Sequence, residues 1–221
     1  MDWQALSVSL QLAGVTLVIL LPAGLVVGRW LAYTTLAGKA WIEALVLLPL
    51  VLPPTVLGYY LLSSLGSASL LGGWFARAFN VHLTFNFLGL VLASIVFNVP
   101  FLVQPVQRAF EAIPGQLSEA AAVSGLSGWQ TFWRVELPLA WPGVLSAMVL
   151  TFVHTLGEFG VVLMIGGSIP GETKTIAIAI YDRVQAFDLT AANRMAVLLV
   201  LLSLGAVATS LFASTRLTAR R

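Results

Sequence analysis

The sequence predicts an all-α membrane protein, a polytopic bundle of five transmembrane helices with room for a short sixth. Three observations predict it. Apolar residues make up 59% of the 221 residues, and the mean hydropathy is +0.96. Charged residues are only 9%, where a soluble chain averages about half apolar and about a quarter charged. The apolar residues also gather into stretches of about 20, the helical length that crosses a hydrocarbon layer of about 30 Å. So much apolar surface cannot be buried in one core of this size, and lipid must be the solvent. A net charge of +2 without any basic run excludes a nucleic-acid partner. The absence of cysteine excludes disulfides and thiol chemistry. Met1-Asp2-Trp3-Gln4 lacks the cationic start of a secretory signal, so the first apolar stretch is expected to be a retained span.

The five spans are expected over residues 7–28, 42–65, 84–107, 139–165 and 195–214. The first holds Gly24-x-x-x-Gly28, a spacing that permits close helix packing. The second holds Pro49, Pro53 and Pro54, and the third Asn98, Pro100, Gln104, Pro105 and Gln107. Each internal proline removes a backbone hydrogen bond and clashes with the preceding turn. In a bilayer such breaks survive where protein or a wet cavity satisfies the freed carbonyls. Ordinary kinks are one reading, because proline is common in transmembrane helices. Several breaks in adjacent spans, interleaved with amides, favour a translocation pathway. In the fourth span His154 and Glu158, four residues apart, share one helix face. Gly166–Thr173 has P-loop-like glycine spacing, but Glu172 stands where a lysine is required, so it reads as a turn. Residues 173–187 are apolar only in their first half and read as a short outer-surface helix or a re-entrant piece.

Five spans put the termini on opposite sides, and the positive charges choose which way round. With residues 111–138 inside, Arg29, Lys39, Arg108, Arg134, Arg216, Arg220 and Arg221 are inside, seven of the eleven cations. Arg77, Lys174, Arg183 and Arg194 are then outside. The N-terminus is therefore expected outside and the C-terminus in the cytoplasm.

The polar segment 111–138 carries two helix signals in tandem. Ser118 can cap a short helix with Glu119 in its first turn, where the dipole favours a carboxylate, and Gly125 suits the left-handed residue that ends it. Ser127 and Gln130 form a capping box for a second helix, which carries Trp129, Phe132 and Trp133 and is expected to stop before Pro138. Two readings remain open here. The hairpin lies on the membrane with its tryptophans among the headgroups, or its small-residue face receives a partner protein.

Glu119-Ala120-Ala121, Gly125 four residues later, and then Val135-x-Leu137-Pro138 resemble the E-A-A loop of permease subunits of type I ATP-binding-cassette importers. The resemblance implies that the loop docks in a cleft of a separate ATPase subunit. Glu119, Ala120, Ala121 and Gly125 would make or shape that contact, and Leu137-Pro138 would set the start of the fourth span. Leu47–Pro54 with Gly58-Tyr59, Leu156–Gly160, and Ile169–Ile176 are similar to segments of molybdate permeases, so the likeness runs from about residue 40 to 190. Lys174, where arginine is as frequent, and Ala177, where many members have proline, depart from the pattern. Sulfate and tungstate permeases share much of it.

What the resemblance implies is a single permease domain over 1–221 with a cytoplasmic coupling loop at 111–138, working in the inner membrane as a homodimer. Two ATP-binding subunits and an outer oxyanion-binding protein are the implied partners, with molybdate or tungstate as cargo and sulfate or thiosulfate as the alternative. The chain itself is then expected to be no enzyme and to hold no cofactor or metal. A dianion in transit would be repelled by an ionised Glu158. That residue, with Phe159 and Gly160, is expected at a gate or subunit interface, partnered by His154 or by a backbone amide. A packed His–Glu pair without a transport role is the other reading. Pro53, Pro54 and Asn98 complete the pathway candidates. A self-sufficient secondary transporter would show inverted repeats with paired ion sites, against which an odd number of spans and one dominant loop argue. A non-transporting scaffold would not need prolines and amides inside its spans.

Overall fold

The computed structural model describes residues 1–219, with side chains through Phe212. The side chain of Arg216 and all of Arg220 and Arg221, which the charge count places in the cytoplasm, lie outside the described residues. Among the described residues every regular element is a helix. Helices α1 (Trp3–Tyr33), α5 (Phe87–Glu111) and α11 (Leu189–Ala219) each have the length and composition of a membrane span. A fourth span is a continuous column, α7 (Gly128–Thr131), a π-helical turn (Phe132–Glu136) and α8 (Leu137–Gly157). The fifth is a broken pair, α2 (Lys39–Val51) and α3 (Pro54–Leu65), bent by 106°.

The break falls at the tandem prolines for a local reason. A residue before proline is driven out of the helical region, and here two are in succession. Leu52 is extended at φ −71°, ψ 137°, and Pro53 at φ −55°, ψ 137°. Pro54 then restarts the chain as the first residue of α3, where a missing N–H costs nothing. Pro49 sits within α2, and Pro22, Pro100, Pro105 and Pro142 lie inside the long helices without ending them. Of the two readings of the prolines in the second span, kink or break, Pro53–Pro54 makes a break and Pro49 does not.

The fourth span is corrected. Residues 139–165 do not form one helix, because α8 ends at Gly157, Glu158 is extended, and a short α9 (Gly160–Gly166) follows. At the other end the helix does not stop before Pro138. Pro138 cannot donate and its ring clashes with the carbonyl four residues back. The column absorbs it by opening into a π turn, in which Leu137 N–H bonds to Phe132 O.

The remaining elements are short. Helix α4 (Leu70–Phe79), too short to register as a span, is capped by Ser69, whose Oγ accepts from Gly72 N at 2.8 Å. Residues 173–187 contain α10 (Ile176–Gln185), which at 1.5 Å per residue is about 15 Å long and cannot cross a bilayer. Ile176 N donates to Ser9 Oγ at 2.8 Å, fixing α10 to the N-terminal end of α1. The glycine-rich turn before it folds onto Thr173, whose hydroxyl donates to Gly166 O at 2.7 Å and accepts from Ile169 N at 3.1 Å.

The main core lies where α1, α5 and α8 meet, around Leu20, Leu102, Val106, Phe110, Val144 and Ala147. The Gly24-x-x-x-Gly28 pattern makes this approach possible. A Cβ on Gly24 would lie 2.5 Å from Leu102 Cδ2, and one on Gly28 would lie 2.7 Å from Val106 Cγ1 and 3.1 Å from the Gln107 backbone nitrogen. Much of α2 and α11 stays exposed and apolar, including Leu45, Val51, Leu201 and Leu204, as surfaces facing lipid or another membrane subunit must be.

Candidate translocation and coupling sites

The broken α2–α3 span meets, at its break, the start of α9 just beyond the fourth span. A Cβ on Gly160 would lie 2.8 Å from Pro54 Cβ, and one on Gly58 would lie 2.9 Å from Met164 Cβ. Absence of side chains at these glycines lets α3 and α9 lie directly against each other. Leu57 from α3, Ala93 and Phe97 from α5, and Val161 and Ile165 from α9 close the contact. Of the expected pathway residues, Pro53, Pro54 and Gly160 therefore come together. Phe159 is turned toward α10, its ring 4.9 Å from that of Tyr181.

Phe97 links this junction to a second group. The His154 ring stacks on Phe101 at 3.6 Å and on Phe97 at 4.8 Å between centroids. Its Nδ1 lies 3.0 Å from Asn98 Oδ1. Asn98 is fully buried and its Nδ2 donates to Ser94 O at 2.8 Å and Ser94 Oγ at 3.2 Å, which fixes the amide with Oδ1 toward the imidazole. An amide oxygen only accepts, so Nδ1 carries the proton and, in the neutral ring, Nε2 keeps its lone pair.

His154 and Glu158 do not pair. Their common face requires a helix that continues to Glu158, and α8 stops one residue short. Glu158 is 6% exposed, and its Oε1 accepts from Val161 N at 3.0 Å. Of the two expected partners, the backbone amide is the one found. The carboxylate caps the first turn of α9, where free N–H groups favour an anion.

The polar segment 111–138 lies toward the Arg29 end of α1, to which Glu136 bonds, whereas α10 is fixed near the other end at Ser9. Helix α6 (Gly115–Val123) begins one turn earlier than the Ser118 cap predicts, with Pro114 at its N-cap. That position has no preceding intrahelical acceptor, so proline is tolerated, and Ser118 falls inside the helix. Its end is as predicted. Gly125 has φ +79°, with Gly125 N bonded to Ala122 O at 3.0 Å and Leu126 N to Ala121 O at 3.1 Å, a Schellman closure. The Ser127–Gln130 capping box is also present. Ala121 is buried, whereas Glu119, Ala120 and Gly125 are exposed. Around them Leu117, Val123 and Trp129 are exposed large apolar side chains, Val123 by 90%. Leu137 packs into the main core and opens α8 together with Pro138.

Sequence reasoning missed one polar element of this region. Arg29, counted only as an inner cation, and Glu136 form a two-pronged ion pair, Nε to Oε2 at 2.5 Å and Nη2 to Oε1 at 3.1 Å. A separation of 107 residues leaves no periodicity to find it by. The available signal was chemical: a carboxylate next to an apolar run needs a cation. A second cluster joins α2 to α5, where Gln107 Nε2 donates to Glu43 at 2.6 Å and Glu111 at 2.8 Å, with Lys39 Nζ 3.5 Å from Glu111.

Broken helices meeting in the bundle, buried amides beside them and an exposed two-helix element at one end define a polytopic transport subunit. The family described as binding-protein-dependent transport system inner membrane component matches residues 21–221. Among known relatives, the molybdenum transport system permease protein ModB of Azotobacter vinelandii is 46% identical over 202 residues, covering 91% of this chain and 89% of the relative. The sulfate transport system permease protein CysT of Escherichia coli K12 is 35% identical over 76% of this chain and 60% of its own. A bacterial alginate ABC transporter, solved with an alginate pentasaccharide-bound periplasmic protein, superposes with a TM-score of 0.79 at 19% identity, over 97% of this chain and 78% of that one. The fold is therefore that of type I ABC importer permeases. The chain belongs to the binding-protein-dependent transport system inner membrane component family.

Proposed function

We propose that this chain is the membrane subunit of an ATP-driven molybdate importer. Its likeness to molybdenum permeases along nearly the whole chain carries the reading. Tungstate, of the same charge and shape, is included, and sulfate is the alternative that the weaker likeness to sulfate permeases supports. In this proposal two copies form the pore and each docks one ATPase subunit, which alone hydrolyses ATP, on the coupling loop within 111–138. An outer binding protein delivers the oxyanion. The N-terminus and the α10 end are outside, and the C-terminus and α6 are in the cytoplasm. The exposed Glu119, Ala120 and Gly125, with Leu117 and Val123 beside them, support α6 as the docking element, because an apolar surface rimmed by polar residues suits a protein partner. Ala121 supports it from beneath, and Leu137-Pro138 sets where the fourth span begins.

The junction of Pro53–Pro54 with Gly160, flanked by Asn98–His154 and capped by Glu158 and Phe159, is the proposed gate. The break between α2 and α3 and the one between α8 and α9 supply backbone groups and hinge points that an unbroken bundle lacks. Glu158→Gln leaves an oxygen for Val161 N and removes the charge. It is expected to lower coupled uptake in vesicles by about tenfold, roughly 1.4 kcal/mol of coupling. Unchanged uptake leaves Glu158 as a helix cap alone.

The decisive experiment is ATP hydrolysis by the purified complex of this chain with its ATPase, with and without binding protein loaded with molybdate, tungstate or sulfate. Stimulation by the molybdate- or tungstate-loaded receptor is expected. Stimulation by sulfate alone moves the assignment to the alternative, and none by any oxyanion removes the importer reading.

A further inference from the structure

The importer reading leaves the Arg29–Glu136 pair without a task. Glu136 closes the π turn between α7 and α8 and is 3% exposed. Arg29 reaches it from α1 through two parallel N–H donors, the fork geometry that fixes orientation as well as distance. The guanidinium also lies 5.5 Å from the Tyr33 ring centroid on α1 and 5.6 Å from that of Phe132 in the π turn. Pair and rings together bind one end of α1 to one turn of the α7–α8 column.

That turn is where the column is least able to transmit a push. A π turn interrupts the regular hydrogen-bond ladder, so α7 can pivot on α8 unless something outside the column holds it. Phe132 stacks on Phe110 of α5 at 6.2 Å between centroids, and Arg29 adds the charged hold, the one that comes from α1 with a fixed orientation. The chain enters the coupling element after Glu111, beside Lys39 at the start of α2, and leaves it at Glu136, beside Arg29 near the end of α1. Both charge contacts thus end on the same α1–α2 hairpin. Stability alone does not call for a buried carboxylate here, even with its cation 36% exposed, since well-packed apolar residues of similar volume often serve as well as an ion pair.

We propose that Arg29 and Glu136 are positioning residues that make α1 move with the coupling element, so that displacement of α6 and α7 is delivered to the α1–α5 unit rather than lost at the π turn. This rests on the importer reading.

The test uses the full complex in proteoliposomes with loaded receptor, reading molybdate taken up per ATP hydrolysed. Glu136→Gln is expected to assemble with the ATPase and keep receptor-stimulated hydrolysis within about twofold, while uptake per ATP falls about tenfold, inside the usual range of coupling between sites. The exchanged pair R29E/E136R is expected to restore most of that ratio. The double variant R29M/E136M leaves no unpaired buried charge and is expected to assemble yet remain uncoupled. An unchanged ratio in either uncharged variant overturns the proposal, as does failure of the double variant to assemble, which makes the pair structural. Failure of the unmodified chain to retain an ATPase is a different result and overturns the importer reading itself.

Discussion

Tryptophan in place of Gly125 is expected to abolish co-purification of the ATPase and, with it, ATP-driven uptake. Two effects combine at this position. Gly125 sits at φ +79° to close α6, a conformation that costs any L side chain about 1–2 kcal/mol. Nothing lies within 4 Å of the Cβ position, so the side chain leaves the backbone into open space on the surface proposed for the ATPase. Gly125→Ala carries the backbone strain without the bulk and is expected to retain a reduced amount of ATPase. Glu119→Lys, earlier on α6, reverses the charge of the same surface and is expected to act like the tryptophan. The measurement is pull-down of the ATPase by tagged permease, followed by ATP hydrolysis of whatever is retained. Full retention by both Gly125→Trp and Glu119→Lys sinks the docking assignment.

Leucine in place of Gly28 is expected to give the largest loss of stability of any single substitution discussed. Its first carbon alone would stand 2.7 Å from Val106 Cγ1 and 3.1 Å from the Gln107 backbone nitrogen. Val106 is fully buried and the Gln107 nitrogen belongs to a helix, so neither can turn aside as the end of a long side chain could. Overpacking of this kind costs about 1–3 kcal/mol, occasionally more. Separation of α1 from α5 would also displace Arg29, the next residue along α1. Gly14→Leu is the control, on the same helix with nothing within 4 Å of its Cβ position. Thermal unfolding in detergent, followed by size-exclusion fluorescence, is expected to show a large fall for Gly28→Leu and little change for Gly14→Leu. Equal midpoints would show that the glycines do not set this contact.

Local signals were legible where backbone chemistry decides the outcome. The Gly125 closure and the Ser127–Gln130 box lie where spacing puts them, because a cap is made by residues within one turn of each other. The start of α6 was misread at Ser118, because a capping side chain is optional and Pro114 starts the helix earlier without one. The prolines show the limit from the other side. Pro53 and Pro54 break the span and Pro100 and Pro105 do not, since adjacency forces two extended residues in succession whereas a single proline in a packed helix is absorbed. Of the two partners expected for Glu158, His154 requires a continuous helix, which ends at Gly157, and the backbone amide of Val161 is the one found.

The sequence alone thus determined that the protein lives in lipid, how many apolar segments it has, and that a capped polar hairpin interrupts them. Hydrophobic length, proline and capping chemistry act within a few residues and need no tertiary context. Only the tertiary structure decided that the broken α2–α3 span meets α9 at Pro54 and Gly160, that His154 answers to Asn98, and that Arg29 reaches Glu136 in the π turn before α8. Those contacts join residues 56 to 107 positions apart, and what selects them is the packing of whole helices, which no local pattern encodes.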